Sequence, residues 1–196
     1  MYYSINYKSP LGWISIVADE DRNHLLGVYL EGQKNFMLGI DKKELILLGS
    51  KKINRDICID KANEVENLGV IAKTTSWLDR YFLGEMPSVR DIKISLRGSD
   101  FRLKVWTRLM DIPYGKVETY ASIAREIAKM MGKDSMSAQA VGSAIGYNPI
   151  SILIPCHRVV GSSGDLTGYS GGIERKKCLL EHEGIQVRGR LVDLYD

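Results

Sequence analysis

The sequence predicts an α/β N-terminal half followed by a mainly α-helical C-terminal half. Apolar and polar residues alternate over residues 2–30, which is typical of half-buried β-strands. From residue 99 onward, the patterned segments instead repeat their apolar residues at helical spacing. We therefore expect an N-terminal α/β domain at 1–97, a C-terminal domain at 98–186 and a C-terminal tail at 187–196.

The strand predictions begin with YYSINY and WISIVAD, two alternating segments at the start of the chain. The turn SPLG lies between them, and Pro10 and Gly12 are residue types that hairpin turns prefer. HLLGVYL is predicted as a third strand, and the alternating IKISL at 92–96 as one more. Residues 32–68 are polar and weakly patterned, and helix is predicted there only near 61–68.

One helix is predicted in the N-terminal half, over VIAKTTSWLDRYFL at 70–83. Its apolar residues fall on one broad face at helical spacing. Gly84 follows the last periodic residue and Pro87 lies three residues further on, as is common after helix ends. The N-terminal half therefore has the composition of a sheet covered by at least one helix.

Four helices are predicted in the C-terminal half. FRLKVWTRLMDI follows Ser99 and Asp100, either of which could cap it. TYASIAREIAKMMG ends at Gly132, and SAQAVGSAIGY follows after a short polar loop, so this pair suggests a helix-turn-helix. Its turn is longer than we expect for that motif. A glycine-rich loop follows Gly161, and IERKKCLLEHEG forms the last helix before Gly184.

Composition restricts the classes of function. The 196 residues include 44% hydrophobic and 26% charged residues, as in an ordinary globular protein, and the net charge of +3 only mildly favours an anionic partner. The start lacks the layout of a signal peptide and no apolar run approaches a membrane span, so we expect no membrane association and a cytoplasmic protein, associated with the nucleoid in a bacterium. The three cysteines form no C-x-x-C pair and the histidines lack zinc spacing, so we predict free thiols and no metal.

Cys156, in the segment ILIPCHRVVG, is the cysteine with the most suggestive surroundings. Cys58 and Cys178 fit the role of small core residues. Pro155 ends the preceding strand, and His157 beside Cys156 disfavours burial unless it is partnered. A thiol at the lip of a strand near potential cations is expected to have a lowered pKa, which favours a nucleophile over a packing residue.

A nucleophilic Cys156 would need a base, and His157 is the nearest candidate. Neighbouring residues of an extended segment point to opposite sides, so a water between Cys156 and His157 is more plausible than a direct hydrogen bond. The imidazole also needs a third group that fixes its tautomer. Glu181 and Glu183, in EHEG, both fit, and the spacing leaves the choice between them open.

The segment GYNPISILIPCHRVVGSSGDLTGYSGG, with LLEHEG after it, closely resembles the O6-alkylguanine-DNA alkyltransferases, also called methylated-DNA–protein-cysteine methyltransferases. FRLKVWTRLMDIPYGKVETYASIA and AVGSAIGYNP match that family upstream, in the same order. The resemblance is strong over residues 99–185 and looser over 1–98. It implies a ribonuclease H-like N-terminal domain with a supporting role and a DNA-binding, helix-turn-helix C-terminal domain.

The resemblance implies direct DNA repair without a cofactor or metal. The protein would bind double-stranded DNA through the minor groove, flip O6-alkylguanine out of the stack and transfer the alkyl group irreversibly to Cys156. The base must leave the duplex because a protein thiol cannot reach O6 inside it. Each molecule would act once, as a monomer. O4-alkylthymine as a second lesion and cooperative binding along DNA stay open.

The family's site residues fall on matching positions of this chain. Cys156 is the acceptor, His157 acts as the base through a water, and Glu183 orients His157. Tyr120, in TYASIA, would donate a hydrogen bond to the guanine ring, and Asn148, in YNP, would hold the active-site loops. The remaining implied substrate contacts are the main-chain carbonyls of Cys156 and Val159 on the guanine amine, with Tyr169 and Ser170 shaping the pocket and Ser170 donating near O6. Arg158 would tie the motif to its surroundings.

SAQAVGSAIGY would be the recognition helix. Its small residues let the helix backbone approach the groove closely, which suits a protein that must tolerate any neighbouring base; they include Ala138, Ala140, Gly142 and Ser143. Most family members have an arginine at the position of Gln139, which enters the stack in place of the flipped nucleotide. Because Gln139 has no charge and less stacking surface, we expect weaker DNA binding or a less stable flipped state, with unchanged chemistry.

Three other functions fit parts of the sequence. A non-catalytic damage sensor of the alkyltransferase-like type would share the fold, but such proteins replace the cysteine that this chain retains as Cys156. A cysteine hydrolase would use Cys156 and His157 and would need an oxyanion hole. A helix-turn-helix transcription regulator would read one undamaged sequence, which the small, uncharged recognition helix does not favour.

Overall fold

The computed structural model describes residues 1–48 and 68–194, which form two compact units. The first unit comprises Met1–Gly32 and Phe36–Leu96, and the second comprises Gln33–Asn35 and Arg97–Asp196. The first contains a mixed sheet and a helix, and the second contains four helices and short strand pairs, so an α/β half followed by a mainly helical half is confirmed. Within the described ranges, no helix has both the length and the apolar character needed to cross a membrane.

The sheet of the first unit has four strands in the order β3-β2-β1-β4. The strands are β1 (Tyr2–Ser9), β2 (Gly12–Ala18), β3 (Leu25–Leu30) and β4 (Leu45–Leu47). The first three strands pair antiparallel, which confirms the hairpin predicted between β1 and β2, while β4 runs parallel to β1 at the edge of the sheet. Gly12 has φ 103°, so the turn between β1 and β2 requires the glycine that the sequence places there.

In this unit one strand prediction is wrong, and one helix prediction falls mostly outside the described residues. Residues 92–96 do not form a strand; Ile94 forms a single bridge with Leu25, flanked by two main-chain hydrogen bonds. Strand β4 and a short 3₁₀ helix at Lys42–Glu44 lie in a region where the pattern predicted neither. Most of the helix predicted near 61–68 lies outside the described residues.

Helix α1 (Val70–Phe82) covers one face of the sheet. Its buried side chains recur at helical spacing and include Ile71, Thr74, Leu78 and Tyr81. Tyr7 of β1 donates a hydrogen bond to Asp79 at 2.8 Å, which fixes the helix against the strand. The helix ends one residue before the predicted bound, and Gly84 follows with φ 86°.

Three of the four helices of the second unit begin at residues whose side chains cap them. The four helices are α2 (Asp100–Leu109), α3 (Tyr120–Met130), α4 (Ala138–Gly146) and α5 (Ile173–His182). Ser99, rather than Asp100, caps α2, since its side chain accepts from the Arg102 main-chain nitrogen. Thr119 and Ser137 cap α3 and α4 in the same way. Trp106 Nε1 donates to the Ala144 carbonyl oxygen at 2.8 Å, which locks α2 onto α4.

A buried arginine fixes the start of α3. Arg108 of α2 is 9% exposed, and its Nη2 donates to both carboxylate oxygens of Glu118 at 2.7 and 2.8 Å, while its Nε donates to Glu126 of α3. Glu118 lies in strand β5 (Glu118–Thr119), directly before Tyr120, and β5 pairs in parallel with β6 (Val159–Val160). The ion pairs therefore hold α3 and β5 beside the strand that follows Cys156.

The segment expected as a C-terminal tail contains a short strand pair, β7 (Val187–Arg188) and β8 (Leu191–Val192). Val192 is 4% exposed and packs with Val160, Leu166 and Leu180. This cluster joins the end of the described chain to the strand β6 and to helix α5.

We expect Leu78→Ala to destabilise the protein by about 2–5 kcal/mol, because Leu78 is fully buried between α1 and the sheet and its loss leaves a cavity. The matched control is Leu83→Ala, since Leu83 lies just after the same helix but is 75% exposed. Its substitution should change the free energy of unfolding by less than about 0.5 kcal/mol. Urea unfolding followed by circular dichroism measures both; equal losses in the two variants would contradict the assignment of Leu78 to the core.

Candidate active site

Cys156 lies in a single turn of 3₁₀ helix at Cys156–Arg158 and is 2% exposed. The expectation of a thiol at the lip of an extended strand is therefore wrong. The chain before it turns twice instead: Ile152 has φ 73°, and the Ile154 carbonyl accepts from the Cys156 main-chain nitrogen at 2.8 Å. This tight backbone buries the thiol instead of presenting it at a surface.

Asn148 connects the thiol to the segment before it. Its Nδ2 donates to Cys156 Sγ at 3.1 Å and to the Ile154 carbonyl oxygen at 2.9 Å. Its Oδ1 accepts from the Ile150 main-chain nitrogen at 3.0 Å. Because Asn148 is itself 2% exposed, these bonds are shielded from water and fix the position of the sulfur.

The electrostatic surroundings of Cys156 differ from the expectation of a lowered pKa. Burial raises the pKa of the Cys156 thiol above its ordinary value, and the Asn148 hydrogen bond and the charge of Lys176 only partly oppose this. The thiol, not the thiolate, is therefore the resting form. A nucleophilic Cys156 requires a base that removes its proton.

His157 and Glu183 form a fully buried pair, with Nε2 of His157 2.7 Å from Oε1 of Glu183. The choice that the spacing left open falls to Glu183, because Glu181 instead pairs with Lys177 at the surface. Burial tends to raise the pKa of Glu183, but His157 and Arg158 together hold it well below its ordinary value. The carboxylate is thus ionised and accepts hydrogen bonds only.

The ionised Glu183 fixes the tautomer of His157. Burial lowers the pKa of His157 despite the opposing charge of Glu183, so the imidazole is neutral and its one proton lies on Nε2, facing the carboxylate. Nδ1 is then an acceptor. It is buried and has no hydrogen-bond partner within the part of the chain that the structure describes. It is therefore available to take a proton.

Arg158 binds the same carboxylate from the other side. Its Nε and Nη2 donate to the two oxygens of Glu183 at 2.8 and 3.0 Å, and its Nη1 donates to the Ile112 carbonyl oxygen at 2.6 Å. The buried charges of Arg158 and Glu183 compensate each other. Arg158 therefore links the motif to the end of α2, as the resemblance implied.

Lys176 is a site residue that the sequence reasoning missed. It is fully buried, and its Nζ donates to the carbonyl oxygens of Val159, at 2.5 Å, and Thr167, at 2.8 Å. Burial lowers its pKa to about 8, against the opposing influence of Cys156. A signal existed in the sequence, since Lys176 lies at helical spacing from Ile173 and Leu180, on the apolar face of α5, where lysine is rarely buried.

Tyr120 lies at the first position of α3, against the glycine-rich loop. Its hydroxyl donates to the Thr167 carbonyl oxygen at 3.0 Å, and burial raises its pKa to about 12, so it stays protonated at neutral pH. Gly168 has φ 66°, and a Cβ there would lie 2.8 Å from the Tyr120 hydroxyl. Only glycine allows the loop to approach this close. Gly142 of α4 faces the same ring, at an ordinary contact distance for an added Cβ.

The remaining predicted pocket residues lie on the same loops. Tyr169 is 8% exposed, its pKa is raised well above the ordinary value by burial, and its hydroxyl has no hydrogen-bond partner among residues 1–48 and 68–194. Ser170 follows it and is half-buried. The Val159 carbonyl, expected to accept from the guanine amine, already accepts from Lys176; its second lone pair leaves room for another donor.

The predicted DNA-contacting residues lie together on α4 but at different depths. Ala138, Gln139 and Ser143 are exposed, whereas Ala140 and Gly142 are half-buried. The opposite face of α4 is buried through Val141, Ala144 and Ile145. The helix therefore presents an exposed face of short side chains, with Gln139 in its first turn.

The chain is similar in sequence to proteins of one family. Residues 100–185 match a family model described as "6-O-methylguanine DNA methyltransferase, DNA binding domain". The methylated-DNA–protein-cysteine methyltransferase of Mycobacterium tuberculosis is 47% identical over 115 residues, which cover 59% of this chain and 66%, just under two thirds, of that relative. The protein of the same name from Methanosarcina acetivorans is 37% identical over 186 residues, covering 94% of this chain and 99% of the relative.

Solved structures agree with the sequence matches. The crystal structure of Mycobacterium tuberculosis OGT in complex with DNA has a TM-score of 0.71 and 32% identity, over 92% of each chain. A crystal structure of the O6-methylguanine methyltransferase from the same organism gives a TM-score of 0.68 and 31% identity, over 93% of each chain. Since similarity of sequence and of structure extends along nearly the whole of these relatives, the chain belongs to the methylated-DNA–protein-cysteine methyltransferase family.

Proposed function

We propose that this chain repairs alkylated DNA directly, by transferring the alkyl group of O6-alkylguanine to Cys156 in a single, irreversible turnover. The observation that supports this most strongly is the buried thiol of Cys156 next in the chain to His157, whose buried imidazole is hydrogen-bonded to the Glu183 carboxylate. In the reaction the bond between O6 and the alkyl carbon breaks and a bond between Sγ and that carbon forms. The products are a thioether on Cys156 and a guanine that leaves as an anion and then takes up a proton to become unmodified guanine, and no cofactor or metal takes part.

The thiol must lose its proton before it attacks, because burial keeps it protonated at rest. His157 Nδ1 accepts this proton through a bridging water, and the resulting imidazolium is stabilised by Glu183 at 2.7 Å from Nε2. Lys176 and the Asn148 amide then stabilise the thiolate, the first by its charge and the second by its hydrogen bond. Asn148 is therefore both a loop anchor and a donor to sulfur.

Guanine leaves with negative charge on its ring, and donors around the pocket compensate that charge. Tyr120 donates to the ring once its hydroxyl turns away from the Thr167 carbonyl, and Ser170 donates near O6. The main-chain carbonyls of Cys156 and Val159 accept from the guanine amine, and Tyr169 forms a wall of the pocket. These donors and acceptors match the edge of guanine that a flipped base presents.

The DNA partner is double-stranded DNA that contains O6-alkylguanine, and O4-alkylthymine stays open as a second substrate. Helices α3 and α4 act as the helix-turn-helix. Helix α4 lies in the minor groove, where its exposed small residues let the main chain of the helix approach the DNA closely. The ribonuclease H-like N-terminal domain, 1–97, supports the C-terminal domain, 98–186. The protein acts as a monomer in the cytoplasm.

The first test is intact mass spectrometry after mixing the protein with a duplex that contains one O6-methylguanine. We expect a stoichiometric gain of one methylene, mapped to the Cys156 peptide and absent from Cys156→Ser. Binding of the damaged duplex without a mass gain would favour the non-catalytic sensor instead. Neither binding nor a gain would overturn the proposed function as a whole.

Lys176→Met should slow the transfer at pH 7 by about tenfold, because removal of the neighbouring positive charge raises the Cys156 pKa further and leaves less thiolate. The pH dependence should move with it. In the variant, the transfer rate should reach its half-maximum at a higher pH than in the wild type. The control is Lys177→Met, the adjacent residue of α5, which pairs with Glu181 at the surface. A pH profile that is the same in wild type and Lys176→Met would contradict this role.

Gln139→Arg should tighten binding to damaged duplex DNA by roughly fivefold, since it adds one positive charge and a planar group that can enter the stack. The transfer rate at saturating DNA should stay the same, because Gln139 is exposed in the first turn of α4 and forms no part of the thiol's surroundings. Gln139→Lys separates charge from stacking. If both variants bind as the wild type does, the hypothesis of weakened binding through Gln139 fails.

A further inference from the structure

The segment Gln33–Asn35 belongs to the second unit, although Phe36–Leu96 of the first unit follows it in the chain. It follows strand β3 and precedes the residues that lead to β4. Each of its three residues forms a hydrogen bond within the second unit, one to the end of α4, one to the segment between α4 and Cys156, and one to the glycine-rich loop. These bonds run from Ser151 Oγ to Gln33 Oε1 at 3.0 Å, from the Lys34 main-chain nitrogen to the Ser170 carbonyl at 3.0 Å, and from Asn35 Nδ2 to the Gly146 carbonyl at 3.2 Å.

All three contact points lie close in the chain to residues proposed for the reaction. Gly146 ends α4, two residues before Asn148, and Ser170 lies beside Tyr169 on the glycine-rich loop. Ser151 begins the turn that leads to Cys156. One short segment therefore fixes the three stretches of chain that place the thiol, its amide donor and the wall of the pocket.

The turn after Ser151 is strained, which makes its support important. Ile152 has φ 73°, a region that β-branched residues rarely adopt, and it is 1% exposed. Such a backbone persists only where the surrounding structure holds it. The Ser151 hydroxyl, fully buried, is held by Gln33, and the main chain from Ile152 to Cys156 follows directly from this point.

Gln33 is 5% exposed, so its bond to Ser151 is shielded from water. Removal of the Gln33 oxygen would leave a buried hydroxyl without this acceptor, and the turn would relax to satisfy it. A shift of about 1 Å in a nucleophile is enough to reduce a rate strongly, because reaction requires the attacking atom in line with the bond that breaks. Loss of the Gln33–Ser151 hydrogen bond is therefore expected to lower the rate of transfer.

We propose that the Gln33–Asn35 segment is a positioning element of the alkyl-transfer site, which holds the turn before Cys156 and the pocket loop at Ser170 in the geometry that transfer requires. This inference rests on the proposed function. The segment touches neither the sulfur nor the substrate in this role. It acts through Ser151, Ser170 and Gly146.

The test is single-turnover transfer from a duplex with one O6-methylguanine, measured over a range of protein concentrations. This separates the rate constant at saturation from the half-saturating concentration. Gln33→Met, which keeps the length of the side chain but removes the acceptor, should lower the rate constant about tenfold. The half-saturating concentration should change by less than about twofold, since the proposed DNA surface on α4 is untouched.

Ser151→Ala tests the same bond from its other end and replaces Gln33→Met if that variant does not fold. Ser151→Ala should also slow transfer. The double variant removes both partners together, so neither end of the bond is left unsatisfied, and its loss should be smaller than the product of the two single losses. Losses that multiply independently would overturn the assignment of the effect to this bond.

Ser15→Ala is the matched control, because Ser15 Oγ donates to Asn6 Oδ1 at 3.0 Å, a hydroxyl–amide pair of the same kind in the sheet of the first unit. It should lower the thermal unfolding midpoint without slowing transfer. If Ser15→Ala slows transfer as much as Gln33→Met, the effect is one of general stability and the proposal fails.

The wild-type reaction distinguishes failure of this inference from failure of the proposed function on which it rests. A wild-type protein that gains no methyl group would overturn the proposed function itself. A wild-type protein that transfers, together with Gln33→Met and Ser151→Ala at the wild-type rate constant, would overturn the positioning role alone.

Discussion

The buried carboxylate of Glu183 is the group on which the site depends. It accepts hydrogen bonds from His157, from Arg158 through two nitrogens, and from the Gly115 main-chain nitrogen at 3.3 Å. A lone carboxylate in this position would be costly, and one that is fully bonded is tolerated because its charge is matched. By staying ionised it determines which nitrogen of His157 holds the proton, and thereby leaves the other nitrogen as an acceptor.

The same carboxylate also joins parts of the chain that are distant in sequence. Gly115 lies in the loop after α2, His157 and Arg158 lie in the motif, and Glu183 directly follows α5. Arg158 extends the connection to the Ile112 carbonyl. Chemistry and architecture are therefore not separable here, since the group that tunes the base is also the one that holds the surrounding segments together. Removal of one partner would leave the others buried and unbalanced.

Much of this arrangement could be predicted from the sequence. The features that could not be predicted were missed for physical reasons. Alternation and turn residues predict β1 to β3, although consecutive residues of β2 and all six of β3 are buried, and a capping residue predicts where α2 begins. Strand β4 has three residues and pairs only at an edge, so it has too little pattern to detect. IKISL alternates, yet it forms one bridge only, because alternation reports burial and not pairing. The burial of Cys156 and the positive φ of Ile152 depend on long-range packing that no local pattern encodes.

The discontinuity of the second unit bears on how this protein can be divided or recombined. A fragment that begins near residue 97 contains every helix of that unit but lacks Gln33–Asn35, and with it three of the bonds around the active-site loops. Exchange of the continuous stretch 1–96 for that of a relative would replace those three residues as well. Changes in the loop after β3 and in the loops of the second unit must therefore remain compatible with each other. For this reason the two halves of the chain do not evolve independently.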